Sequence, residues 1–145
     1  SLEIESCLVE DLYTKVLARP VAATRDSPPF HRVAMDGVAL CFSSEIFPEY
    51  KIEDIQKAGQ PAKTLKNSEG VIEVMTGSVL PLGTDTVIPY EQIEIKNGIC
   101  KIDKSYVVHQ HSNIHRHASD HKKQSVLLHP GTLISTAEIA LIAVQ

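Results

Sequence analysis

The sequence predicts a mainly β fold: short strands that twist and coil around long connections, with one helix at the C-terminal end. Three observations carry that expectation. Asn97-Gly98 separates two alternating segments, 92–96 and 99–102. Short apolar runs recur at irregular spacing between turns rich in Gly and Pro, where even spacing would have pointed to a regular sandwich or barrel. Ser135 and Glu138 stand at capping-box spacing ahead of an apolar stretch.

The elements follow in chain order. Residues 8–18 suit a short helix or a strand. Ser27-Pro28-Pro29-Phe30 is a stiff lead-in, because each proline fixes its own φ. It enters Ala34-Met35-Asp36-Gly37-Val38-Ala39, small and apolar around one carboxylate. Two readings of Asp36 stay open here. An Asp-Gly hairpin turn would pair Met35 with Val38, Ala34 with Ala39 and Val33 with Leu40, and local pattern favours it. Alternatively, a stiff backbone holds Asp36 out to meet a cation.

Strands are expected at 71–75, 86–89, 106–109 and 126–128, separated by turns at 58–61, 81–85 and 129–132. After the first of these, Thr76-Gly77-Ser78 sets two hydroxyls around a glycine, either a capped turn or a cradle of hydroxyls and free N–H groups for an oxyanion. The Asn97-Gly98 hairpin is the clearest element, since both positions tolerate positive φ. Its register pairs Ile95 with Cys100 and Ile93 with Ile102 on one face, and Glu94 with Lys101 on the other. The closing segment from Ser135 starts as a helix and shows no stop signal, so more chain is expected beyond Gln145. Its apolar residues lie on nearly all sides, which asks for a covering surface.

Bulk properties exclude several function classes. The 145 residues suffice for one domain or two small subdomains, and the 43% hydrophobic content is that of a globular chain. A net charge of −4 argues against a general nucleic-acid binder, which needs a basic face to displace counterions. No apolar run approaches the length that spans a bilayer, and the acidic N-terminus is no secretory signal. Cys7, Cys41 and Cys100 are widely spaced and read as free thiols of a reducing cytosol.

Six of the seven histidines lie between 109 and 129. From Lys101 to Lys123 five basic residues face two acidic ones. If the segment is extended, His109 and His111 share a face, as do His115 and His117, and such pairs can bind zinc or copper. No four-ligand set with structural spacing accompanies them, so contact with an anion is the preferred reading over a zinc site.

The ordered set of motifs resembles the N-terminal region of the MoeA and gephyrin E-domain family, the molybdopterin molybdenumtransferases. It runs from Pro28-Pro29-Phe30 through Ala34-Met35-Asp36-Gly37, Ala58-Gly59-Gln60-Pro61, Met75-Thr76-Gly77 and Pro81-Leu82-Gly83-Thr84-Asp85. It continues with Asn113-Ile114, Asp120, Gly131-Thr132 and Ala137-Glu138-Ile139-Ala140-Leu141. The resemblance implies a coiled, bifurcated β architecture. Residues 1–30 and 122–145 would belong to an elongated dimerisation and linker subdomain, and 31–121 to a β subdomain carrying Asp36, Thr76 and Asp120. A molybdopterin-binding domain would lie outside this chain.

The implied reaction is insertion of molybdenum from molybdate into adenylated molybdopterin, with release of AMP. Mg2+ or another divalent cation would assist, in a cytoplasmic homodimer that contacts neither nucleic acid nor membrane. Asp36 and Asp120 would be catalytic, with Asp36 also the metal ligand; Thr76, Gly77, Ser78, His115 and Arg116 would bind substrate. The loop departs from the family pattern: His115 stands for an arginine, Ala118 for a glycine, Ser119 for an acid, and Val38 replaces a tyrosine. Two other readings remain, a gephyrin-like non-catalytic scaffold and a histidine-rich metal-binding domain.

Overall fold

The computed structural model describes residues 3–42 and 46–145, which form two compact units. One comprises Ser1–Pro29 and Ala118–Gln145, the other Phe30–His117. In chain order the elements are β1 (Val21–Ala22), β2 (Arg32–Val33), β3 (Gly37–Leu40), β4 (Glu49–Gln56), β5 (Gly70–Val74), β6 (Thr86–Pro89), β7 (Ile93–Lys96), β8 (Ile99–Ile102), β9 (Ile114–His115), β10 (Val126–Leu128) and α1 (Thr136–Ala143). The fold is mainly β with one short α-helix, as the sequence predicts. No helix among the described residues is long and apolar enough to cross a membrane.

The central unit is built on a six-stranded sheet of order β6-β3-β5-β4-β8-β7. All neighbours are antiparallel except β4 and β5. Both faces of the sheet are covered where β6, β3 and β5 lie, while β4, β7 and β8 leave side chains exposed. Val33, Ala39, Leu65, Ile72, Val74 and Val87 form one buried cluster, and Val38, Leu40, Tyr50, Val71, Ile88 and Cys100 the other. Successive side chains of a strand point to opposite faces, so β3 and β6 read as unbroken apolar runs because neither face meets water. A second, two-stranded ladder pairs β2 with β9.

The parallel β4–β5 pair requires a crossover, and a buried glutamine shapes it. Gln56 Nε2 donates to the carbonyls of Lys57, Gln60 and Pro61, and its Oε1 accepts from Lys63 N–H. A polar side chain with no exposed surface is tolerable only when satisfied in this way. The terminal unit holds the β1–β10 ladder and isolated bridges at Val16–Leu133 and Ser27–His121. Helix α1 carries the expected capping box: the Ser135 side chain caps the first turn while Glu138 reaches back to Ser135 N–H. No residue of this apolar helix is buried.

Several elements match the sequence reading and several correct it. The 97–98 hairpin has the expected register in full. Lys101, however, forms its ion pair with Glu49 of β4 at 2.9 Å, because Lys101 lies opposite both Glu49 and Glu94. Residues 106–109 are not a strand; Tyr106 and Val108 pack on the Val38–Cys100 cluster without a ladder partner. The 8–18 segment holds a single 3-10 turn at Val9–Asp11. His109 and His111 share no strand face, because His111 is left-handed at φ 65°. Strand β9 stops at His115, short of His117.

The Asp36-Gly37 hairpin does not form. Strand β3 is flanked by β5 and β6, while β2 turns away to β9. A Cβ at Gly37 would lie 1.9 Å from Ile88 O, so the glycine serves a close strand approach rather than a hairpin turn. Longest of all the strands, β4 had no clear signature, since its charges hide the alternation and a bulge between Ile52 and Asp54 resets it.

Candidate functional site

Asp36 sits in a bend where three strands of the central sheet terminate together. Gly37 pairs with Val74 of β5 on one side and with Pro89 of β6 on the other. One residue before Gly37, Asp36 meets Thr76, two residues past Val74, and Tyr90, the residue that follows Pro89. The ladder thereby brings together three residues far apart in sequence.

The contacts are specific. Thr76 N–H and Thr76 Oγ1–H both donate to Asp36 Oδ1, each at 2.6 Å. Among the described residues none donates to Oδ2. The Thr76 hydroxyl, then its N–H, holds the Asp36 carboxyl below the usual carboxylate range. A hydrogen-bonded carboxylate is favoured over its acid, so Asp36 is an anion with one oxygen anchored. Tyr90 N–H donates to the Asp36 carbonyl at 3.1 Å. The Tyr90 phenol donates to Glu73, and burial, followed by the Glu73 bond, pushes the phenol up. Tyr90 and Glu73 were not anticipated from sequence as neighbours of Asp36; only the strand register reveals them.

The Thr76-Gly77-Ser78 loop is not a cradle of free N–H groups. Thr76 N–H bonds Asp36, Gly77 N–H bonds the Val33 carbonyl at 2.9 Å, and Ser78 N–H bonds the Met75 carbonyl at 3.1 Å. Gly77 takes φ 80°, which turns the chain back toward β2. Thr76 and Gly77 are exposed, whereas Ser78 is buried and its Oγ finds no partner among the described residues. The three N–H groups of the loop are thus engaged within the protein, and Thr76 anchors Asp36.

His115 lies in β9 directly opposite Arg32 of β2, placing two nitrogen-rich side chains side by side. His115 and Arg116 are both exposed. Asp120 belongs to the terminal unit, whereas the sequence division at 121 put it with Asp36 and Thr76. Its Oδ2 accepts from Ser27 Oγ at 3.2 Å, and its N–H donates to the Ser27 carbonyl at 2.9 Å. Among the described residues no group of three or more His, Cys, Asp or Glu side chains converges to hold a metal. Asp36 thus presents a single carboxylate, with Oδ1 held by Thr76.

Comparison with known proteins shows the family of the chain. Residues 2–145 match the family model described as MoeA N-terminal region (domain I and II). The chain is 38% identical to a molybdopterin molybdenumtransferase of Synechocystis over 122 residues, covering 83% of this chain and 31% of that protein. It is 30% identical to the enzyme of the same description from Staphylococcus epidermidis over 135 residues, covering 88% of this chain and 32% of the relative. The chain therefore spans about a third of the length of these curated relatives. The crystal structure of the molybdopterin biosynthesis moeA protein from Pyrococcus horikoshii superposes with a TM-score of 0.86 at 26% identity, covering 97% of this chain and 38% of that one.

Proposed function

The chain belongs to the MoeA N-terminal region family, and from that premise we propose that it forms part of a protein that inserts molybdenum from molybdate into adenylated molybdopterin, releasing AMP. One observation carries the reading beyond family membership: Asp36 is ionised, exposed and anchored through one oxygen by Thr76. A carboxylate held in this way meets a cation without rearranging, which is the advantage of a preorganised site.

Asp36 would hold Mg2+ or another divalent cation. Bound there, the ion would neutralise charge on the substrate phosphates. Thr76 fixes the carboxylate, and Gly77 and Ser78 keep the loop in shape. His115 and Arg116 are exposed donors suited to an anionic substrate. Asp120, held by Ser27, is the second proposed catalytic carboxylate.

We also propose a cytoplasmic homodimer. The terminal unit exposes Ile4, Leu8, Tyr13, Val16 and Leu133 at 60–72%, and large apolar side chains in such number favour a protein partner. The direct test is AMP release from adenylated molybdopterin and molybdate by the full-length protein. Turnover in the parent and its loss in Asp36→Asn support the reading. A full-length protein without molybdate-dependent AMP release overturns it.

A further inference from the structure

Strand β7 is one edge of the six-stranded sheet, paired with β8 on its inner side and with no strand on its outer side among the described residues. We propose that this edge pairs with the same edge of a second copy of the chain, antiparallel and centred on Ile95, so that two six-stranded sheets join into one.

The hairpin decides which backbone groups face outward. Asn97 and Gly98 take φ 50° and 74°, so Lys96 and Ile99 close the turn as a hydrogen-bonded pair. Bonded and non-bonded pairs alternate along an antiparallel ladder. Ile95, opposite Cys100, is therefore non-bonded toward β8 and turns its own N–H and C=O to the open side. Ile93 has the same phase, but its N–H already donates to the Tyr90 carbonyl. Among the described residues no backbone hydrogen bond outside the ladders reaches Ile95. A two-fold axis at Ile95 satisfies both groups at once: each Ile95 N–H donates to the carbonyl of Ile95 of the partner subunit.

Both faces of the sheet continue across that axis. On one face a row of alternating charge runs from Glu49 of β4 through Lys101 of β8 to Glu94 of β7. Lys101 gives its ion pair to Glu49 at 2.9 Å, and Glu94 ends the row exposed. The axis at Ile95 sets Glu94 opposite the partner's Lys96, and Lys96 opposite the partner's Glu94, which carries the alternation into the second copy. On the other face the row is Tyr50, Cys100 and Ile95. The first two are buried, whereas Ile95 is 38% exposed and is covered by the partner's Ile95. Neighbouring registers are repulsive, because an axis at Glu94 or at Lys96 places like charges directly opposite each other. An unrelated strand lacks the matching charges, and charged side chains protect an edge against it. The fitting occupant is therefore a second copy.

This inference needs neither Asp36 nor the exposed apolar residues of the terminal unit, so it fails separately from the proposed chemistry and from the dimer proposed there. One strand pair is smaller than a standard interface, which puts the dissociation constant at about 0.1–1 mM. The experiment is a dilution series of the 145-residue chain, read by sedimentation velocity and by the amide NMR signals of Glu94, Ile95 and Lys96. In the parent the Ile95 amide should shift with concentration. Glu94→Lys and Lys96→Glu should each weaken the association by about tenfold or more, since each variant alone sets like charges opposite each other on both sides of the axis. An equal mixture of the two variants should associate at least as tightly as the parent, because every facing pair is then opposite in charge, and misfolded variants would not do so. The double variant Glu94→Lys with Lys96→Glu should return to within about threefold of the parent, as coupled neighbours do. A concentration-independent Ile95 amide, single variants that associate as the parent does, or a mixture that stays apart overturns the proposal.

Discussion

Asp36 Oδ1 accepts two hydrogen bonds from one residue, the N–H and the hydroxyl of Thr76, both at 2.6 Å. The partners are 40 positions apart and meet because Gly37 is in register with Val74. Replacing Asp36 by Asn keeps the shape and an oxygen acceptor for Thr76, but removes the charge a divalent cation needs. In the full-length protein Asp36→Asn should cut cofactor formation by about a hundredfold or more and leave the melting temperature nearly unchanged. Parent-level cofactor formed per unit of folded protein would reduce Asp36 to a structural bend residue.

Thr76→Val tests the anchor. The hydroxyl is the larger cause of the depressed Asp36 carboxyl, and the N–H remains in the variant. A carboxylate with a lowered folded pKa stabilises the fold above its unfolded pKa and loses that contribution as pH falls through the folded pKa. With the hydroxyl gone, the folded pKa should rise toward the ordinary value, and the loss should set in at higher pH. A carboxyl-carbon NMR titration of Asp36 reads the change. An unshifted titration would show that the N–H alone sets the carboxylate.

Gly37→Ala should be strongly destabilising, because the new Cβ meets the Ile88 carbonyl oxygen at 1.9 Å on a buried strand boundary. Overpacking against backbone costs about 3 kcal/mol, visible as a lower urea midpoint. A midpoint equal to that of the parent would mean that β3 and β6 can separate freely at this point.

Tyr90→Phe separates support from chemistry. It deletes the phenol that donates to Glu73 and keeps the Tyr90 N–H that bonds the Asp36 carbonyl. Leaving the half-buried Glu73 without this donor should lower stability by about 1–2 kcal/mol in urea unfolding. The Asp36 titration should stay where it is. A displaced Asp36 titration would show that the phenol, and not only the backbone, governs the carboxylate.

The chain by itself should fold yet release no AMP from adenylated molybdopterin. It spans about a third of its relatives' length, and a transition state needs every surface that binds it. Measurable release of AMP by the 145-residue chain would overturn this expectation.

Local signals were enough wherever a local reason existed. Asn97-Gly98 dictated its hairpin and register because a two-residue turn with positive φ leaves one pairing. Ser135 and Glu138 announced α1 because a capping box is closed within one turn. The motif order from Pro28 to Leu141 pointed to the family, and Asp36 and Thr76 were picked out together. Strand β4 and the irregular course of 106–109 escaped, since a charged, bulged strand and a packed segment without ladder bonds leave no clean period.

Which residues stand around Asp36 was decided by tertiary structure alone. The sequence by itself determined the residue types: a carboxylate beside a glycine, a threonine before another glycine, and a mainly β chain to carry them. It left open whether Asp36-Gly37 turned a hairpin. That was settled by strands β5 and β6 closing on both sides of β3, where only a glycine fits under the Ile88 carbonyl. Register between distant strands depends on burying two apolar faces at once, a condition no short window of sequence contains.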